Sequence, residues 1–286
     1  MSTDSFVINP IFFEGGDIGK LAVCGTINDI CMSGAKPLYI SVGFIIEEGL
    51  PISELEKVVQ SIAKTANEAG VEIVTGDTKV VEKGSCDKIY INTTGIGIIE
   101  KNRAYLGGDK VKNGDKIIIS GTLGDHGMCI MNKRENLGFK TSIKSDCCLL
   151  NKLIEDILSA SNNVKVLRDP TRGGLATTLN EIIEHSNISM EIAEEFIPVK
   201  PEVDAMCEIL GLDPLFIANE GKVVVIVDKN DADNVLNIMR QNPVGKDSVL
   251  LGEAINDGKN KLYLKTKIGG RRIINMPEGE ILVRIC

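Results

Sequence analysis

The sequence predicts a two-domain protein of the α/β or α+β class, and three observations carry that reading. Strand-like and helix-like segments are interleaved along the whole chain. The 286 residues are 43% hydrophobic and 25% charged, the balance of a protein with a real core. A polar, Gly-rich stretch, "EKNRAYLGGDKVKNGD", separates two halves that are each of ordinary domain size. The expected divisions are a first domain at 1–105, a second at 106–268 and a tail at 269–286 with a hinge at Gly269-Gly270.

Taken in order, a helix is expected from Asp17 to Ser33, followed by a strand at "PLYISVGFII". "SELEKVVQSIAKTANEAG" is the clearest helix: Ser53 and Glu56 have capping-box spacing, Leu55, Val58, Val59, Ile62, Ala63 and Ala66 share one face, and Gly70 ends it. "VEIV" is a strand running into a polar loop at Thr75-Gly76-Asp77-Thr78, and the C-terminal edge of a strand is a common ligand position in α/β proteins. Further strands are expected at "KIYINTTGIGII", "DKIIIS", "KVVVIV" and "KLYLK", with helices over Cys147 to Ala160, Arg172 to His185 and Asp231 to Arg240.

A formal net charge of -8 and the lack of any basic stripe interleaved with aromatics argue against nucleic acid or an anionic membrane as partner. The eight cysteines include no CxxC pair, so a structural metal site is not expected. "MSTDSFVINP" has no secretory apolar region and no run reaches membrane-spanning length, which points to free thiols in a reducing cytoplasm. Cys24, Cys31, Cys129 and Cys207 lie in apolar segments and read as small buried hydrophobes. Cys286, the last residue, has no such context: a nucleophile at a chain end is poorly placed to build a core.

Acidic loops supply the other candidate chemistry. "TDSF" carries Asp4, "GTINDI" sets Asn28 beside Asp29 in an otherwise apolar helix, "TGDTK" carries Asp77, and "RDPTRGGL" carries Asp169 before a helix start. Oxygen ligands gathered from separate loops suit Mg²⁺ bound with phosphates, and the open N-terminus at Arg172-Gly173-Gly174 offers amides to an anion. Turns and N-caps favour the same residues for structural reasons, and no Walker or GxGxxG pattern occurs. "GTLGDHGMCI" holds His126, readable as a surface or phosphate-contacting residue, and "ANEGKVVVIV" holds Glu220, readable as a buried general base or a solvated turn.

Together, "TDSFVINPIFFEGGDIGKLAVCGTINDICMSGAKPLYIS", "VTGDTKVV", "INTTGIG", "GTLGDHGMCIM", "RDPTRGGLATTLNEI", "ANEGK" and the terminal "RIC" resemble the HypE family of hydrogenase maturation factors. That family lies in the superfamily of aminoimidazole ribonucleotide synthetase and selenophosphate synthetase, and the likeness runs from Thr3 to Cys286. It implies two α/β domains of the synthetase type, the first contributing to a dimeric β-barrel, with ATP and Mg²⁺ held by acidic loops. The terminal cysteine is then itself the substrate: a carbamoyltransferase, HypF, loads it, ATP-dependent dehydration turns the thiocarbamate into a thiocyanate, and cyanide passes to iron on HypC–HypD for the [NiFe] hydrogenase site.

By the same resemblance Asp4, Asp77 and Asp169 are the metal ligands, Asn28, Asp29, Gly76, Asp77, Thr78, Arg172, Gly173 and Gly174 line the nucleotide site, and Lys79 and Glu220 act at the carbamoyl group on Cys286. Arg284 and Ile285 would seat the tail, one by charge and one by apolar contact. The glycine-rich segment that usually precedes "TDSF", with another acidic ligand, is not in this sequence, and Val283 stands in place of the usual tail proline and is expected to loosen the tail. Two other readings predict different behaviour: a superfamily synthetase or kinase making selenophosphate or thiamine diphosphate would not need Cys286, and a non-catalytic cysteine carrier would not need the acidic loops.

Overall fold

The structure is a computed structural model that describes residues 1–139, 141–277, 279 and 284–286; Val283 lies outside the described residues. The first half builds β1 (Ser2–Phe6), β2 (Phe12–Phe13), β3 (Gly16–Asp17), α1 (Ile18–Met32), β4 (Lys36–Glu47), α2 (Ile52–Ala69), β5 (Glu72–Val81) and β6 (Ile89–Ile98). Four of these strands form an open sheet in the order β1-β6-β4-β5, antiparallel except for the parallel pair β4 and β5. One edge is therefore β5, and its Ile73, Val74 and Val80 are 43%, 56% and 69% exposed.

The second half continues with β7 (Lys116–Ile119), α3 (Asp125–Arg134), α4 (Asn151–Ala160), β8 (Val164–Arg168), α5 (Gly174–Ser186), β9 (Ser189–Ala193), α6 (Pro201–Leu210), β10 (Val224–Val227), α7 (Ala232–Gln241), β11 (Val249–Ile255), β12 (Leu262–Lys265) and β13 (Arg271–Ile274). Seven strands join in the order β13-β12-β9-β11-β7-β10-β8. The central strands are apolar on both faces because both faces are covered. Val225 and Val227 of β10 and Ile118 of β7 point into a core shared with Leu21, Val23 and Ile27 of α1 and with Leu153 and Ile157 of α4. Their neighbours Val224, Ile226, Ile117 and Ile119 point the other way, against Leu175 and Leu179 of α5. The two halves thus share one continuous core around α1.

Several local expectations change. "TGDTK" is no loop: Thr75 to Lys79 continue β5 in register with Ser41 to Ile45 of β4. α2 starts one residue before Ser53, after Pro51, with no side-chain cap, so the Ser53/Glu56 pair lies inside the first turn. Its buried stripe is Val58, Ile62, Thr65 and Ala66, narrower than expected, and Val59 is exposed. Gly269-Gly270 is a hairpin turn, closed by Thr266 and Gly269 amide bonds, that returns the chain to β13; the tail proper begins beyond that strand. The Asp17–Ser33 helix appears as α1, with Asp17 as N-cap accepting from the Gly19 and Lys20 amides at 2.8 and 3.1 Å. Among the described residues no helix is long and apolar enough to cross a membrane.

Gly252 marks the tightest approach in the large sheet. The β11 register slips between Leu250 and Gly252, bringing this backbone onto β9 so closely that an added methyl would overlap the Glu191 carbonyl. Backbone on backbone cannot give way as a side chain can. Gly252→Ala is expected to destabilise the protein by about 1–3 kcal/mol, read as a lower urea midpoint at unchanged slope; an unchanged midpoint would refute the close approach.

Candidate active site at the chain terminus

A cavity of about 370 Å³ opens between the two sheets, lined by Asp4, Asp29, Asp169, Arg172, Glu220 and Cys286 among others. Asp4 comes from β1, Asp29 from the last turn of α1, and Asp169 from the turn after β8; Glu220 comes from the loop before β10. The carboxylates feel one another. Asp29 is pushed up by burial, partly relieved by the Ser2 hydroxyl that donates to Oδ2 at 2.8 Å, and pushed further by Asp4. Asp169 is pushed up to about 6 by burial and then by Asp29. Its Oδ1 is buried with no hydrogen-bond partner, and Arg168 stands 3.6 Å away. Such a cluster suits a hard cation, which would relieve both the repulsion and the orphaned oxygen. No three His, Cys, Asp or Glu among the described residues are already gathered tightly enough to form a metal cage.

Glu220 is only 5% exposed, and burial, followed by the neighbouring Cys147, Asp146 and Asp169, raises its proton affinity well above the ordinary carboxylate range. Its loop is pinned from beneath by Asp146, which accepts from the Glu220 and Gly221 amides at 3.1 Å each and from Lys222 Nζ at 3.0 Å. Burial works to raise the Asp146 pKa, but the Lys222 ammonium and the Glu220 amide outweigh it and hold the group ionised. Asn219, fully buried, stitches three loops together: its amide donates to Pro170 and Ile217 carbonyls and accepts from the Gly124 N–H.

The last three residues are docked. Cys286 O accepts from Val7 N at 3.0 Å, Ile285 O lies 2.7 Å from His126 Nε2, and the Ile285 side chain is 3% exposed within the shared core. Arg284 donates to Val7 O, pairs with Asp87 and stacks its guanidinium toward Tyr90. Arg284 thus acts by charge and Ile285 by apolar contact.

Of the sequence-based candidates, Cys286, Glu220, Asp4, Asp29, Asp169 and Arg172 meet in this cavity. Gly173 and Gly174 start α5 beside it with φ of 71° and 60°, a left-handed turn at which Gly174 N bonds to Thr171 O. Asn28 faces elsewhere: its amide donates to Cys148 O and accepts from Leu150 N, fixing the entry to α4. Gly76, Asp77, Thr78 and Lys79 stand exposed on β5, outside the cavity, with Lys79 and Asp77 ion-paired at 3.2 Å. The sequence reasoning missed Asp146, Asn219 and Lys222. Asn219 and Lys222 flank Glu220 in a motif already singled out, whereas Asp146 sits in "IKSDCCLL", where nothing marks it.

The fold agrees with the comparisons to known proteins. The AIR synthase related protein N-terminal domain family matches residues 1–99 and the corresponding C-terminal domain family residues 112–265, which defines the class as a two-domain AIR synthase-like α/β protein. The carbamoyl dehydratase HypE of Cupriavidus necator is 52% identical over 286 residues, all of this chain and 81% of that protein. A crystal structure of hydrogenase maturation protein HypE in complex with ATP superposes with a TM-score of 0.95 at 48% identity, covering 100% of this chain and 86% of that one. The HypE chain of a HypE–HypF complex superposes at 0.93 and 51% identity, covering 96% and 90%. The chain belongs to the HypE carbamoyl dehydratase family.

The raised Asp169 pKa has a stability consequence with a definite sign. A carboxyl that holds its proton more tightly folded than unfolded loses stability for the fold as pH climbs from the ordinary range, about 4, through about 6. In chelator-treated buffer Asp169→Asn should therefore raise stability at pH 7 by up to about 3 kcal/mol and change it little at pH 4. Urea midpoints at the two pH values check this; an equal shift at both would contradict it.

Proposed function

We propose that this chain is an ATP-dependent carbamoyl dehydratase of [NiFe] hydrogenase maturation that acts on a carbamoyl group carried by its own Cys286. One observation carries the reading: the terminal residue is seated in the same cavity as Glu220 and the Asp4, Asp29 and Asp169 carboxylates. A carrier would have no reason to bring its thiol to a buried acid, and a small-molecule kinase would have no reason to fill its cavity with its own chain end. We infer that HypF loads the cysteine, that HypC–HypD receives the product cyanide, and that these encounters take place in the cytoplasm.

The chemistry removes an oxygen that is a poor leaving group. ATP, when bound, supplies the phosphoryl group that makes the carbamoyl oxygen able to depart, and Mg²⁺ supplies positive charge to that transfer. Asp4, Asp29 and Asp169 are the residues of the cavity that would hold the cation, with Arg172 and the Gly173-Gly174 turn toward phosphate oxygens. Glu220 takes one proton from the carbamoyl nitrogen as the oxygen is phosphorylated, gives it up, and takes the second as the phosphate leaves: its burial makes the ionised form a strong base, and Asp146 fixes its backbone. The docked tail holds the sulfur still, so that the nitrogen's electrons close the nitrile bond to carbon as oxygen leaves, giving S–C≡N.

The apolar edge at Ile73, Val74 and Val80 supports a homodimer through β5, which would also cover the strand bearing Gly76, Asp77, Thr78 and Lys79. In that assembly the two open sheets would complete the barrel, and Asp77 and Lys79 would join the metal–nucleotide and carbamoyl sites.

Phosphate release coupled to the carbamoylated chain tests the proposal. Cys286→Ala should abolish release while nucleotide binding persists. Glu220→Gln should slow it about 10²–10⁴-fold. Because a base works when deprotonated and burial raises the Glu220 pKa, the wild-type rate should keep climbing with pH beyond the ordinary carboxylate range and the Gln variant should lose that limb. Full turnover in Glu220→Gln would remove Glu220 from the chemistry.

A further inference from the structure

The chemistry above leaves one buried imidazole without a role. His126, in the first turn of α3, is fully buried, with its ring edge-on to Phe13 at 5.7 Å between centroids. Nε2 lies 2.7 Å from the Ile285 carbonyl oxygen and Nδ1 2.8 Å from Ser145 Oγ. A carbonyl offers no proton, so Nε2 carries the hydrogen; burial favours the neutral ring, which leaves Nδ1 to accept from the Ser145 hydroxyl. Ser145 Oγ in turn accepts from Cys147 N at 3.1 Å. Donation thus runs one way, from the Cys147 amide through Ser145 and His126 to the tail, and every member is satisfied.

The next residue along is Asp146, which grips the Glu220 loop. Adjacent positions therefore hold the two things that must meet: Ser145 the tail, through His126, and Asp146 the base. The Gly221 backbone passes so close to the Asp146 carbonyl that a methyl there would overlap it, so the loop cannot slide independently. The tail contacts at Ile285 O and Cys286 O are to main-chain atoms, and Arg134 reaches Arg284 O at 3.5 Å. A grip on the backbone is indifferent to what the sulfur carries.

We propose that His126 is the positioning residue of the tail: it clamps the Ile285 carbonyl, with Ser145 fixing its tautomer, and so registers Cys286, loaded or unloaded, against Glu220. The clamp rests on the reading of Cys286 as the reacting residue only for its effect on rate; its effect on the tail is independent of it.

Two readouts on the full-length chain separate these. The first is the rate of Cys286 alkylation by iodoacetamide, followed on the C-terminal peptide. His126→Phe keeps the ring's shape and deletes the donor, and should raise that rate about tenfold or more. His126→Gln, whose amide N–H can replace Nε2–H, should recover most of the protection, and Ser145→Ala should fall between. The second is single-turnover, ATP-dependent dehydration of the carbamoylated chain, which should fall by a similar factor in His126→Phe while loading of Cys286 by the carbamoyl donor proceeds at least as fast as in wild type. An unchanged alkylation rate in His126→Phe overturns the clamp; if that variant fails to fold, an unchanged rate in Ser145→Ala does so. Alkylation that rises as expected in a chain whose wild type never dehydrates supports the clamp and overturns the proposed function instead.

Discussion

The site depends on one buried charge. The Asp146 side chain is 3% exposed, and an ionised carboxylate can remain there only if it is fully partnered. The Lys222 ammonium and two consecutive amides supply those partners, and because the amides belong to Glu220 and Gly221, neutralising Asp146 also fixes the Glu220 loop. Removing either partner would leave an uncompensated charge inside the core, a cost that makes this arrangement all or none. Asn219 completes the frame from the other side, tying the same loop to the Pro170 turn and to Gly124 at the mouth of α3.

Against that rigid frame the remaining acids are held out of balance. Asp4, Asp29 and Asp169 repel one another, and Glu220 is denied solvent, so the cavity is charged with unmet electrostatic demand. On the proposed reading that demand is useful, since the site would attract a cation and present a base. The tail answers with the opposite character. It brings an apolar Ile285 into the core and a main-chain carbonyl to His126, and leaves the carboxylates for ligands.

How much of this was legible in the sequence follows the range of the interactions. β-branched runs such as "KVVVIV" and the stripe of Val58, Ile62 and Ala66 report local burial, so the class, the main strands and the helices were readable. "TGDTK" misled because Gly and Asp favour turns, yet in β5 their exposure on an unpaired edge removes the penalty that a central strand would impose. Gly269-Gly270 was read as a hinge and is a hairpin turn, since a positive φ serves both and only the pairing of β13 decides. Asn28 was picked for being polar in an apolar helix; its partners turned out to be the backbone of residues 148 and 150, which no local pattern could announce. Asp146 was invisible for the same reason: its meaning lies in a contact some 75 residues away. The comparisons with HypE structures place the class beyond composition and spacing, but the roles of individual side chains come from these long-range contacts.

The central claim is that Cys286 is the substrate-bearing residue of an enzyme that dehydrates what it carries. The most direct test is the intact mass of the C-terminal peptide after incubating the chain with HypF, carbamoyl phosphate and Mg-ATP. A gain of one carbamoyl group at Cys286 followed by loss of one water is the predicted result. A tail that stays unmodified beside a demonstrably active HypF, or that is loaded and never loses water, would contradict it.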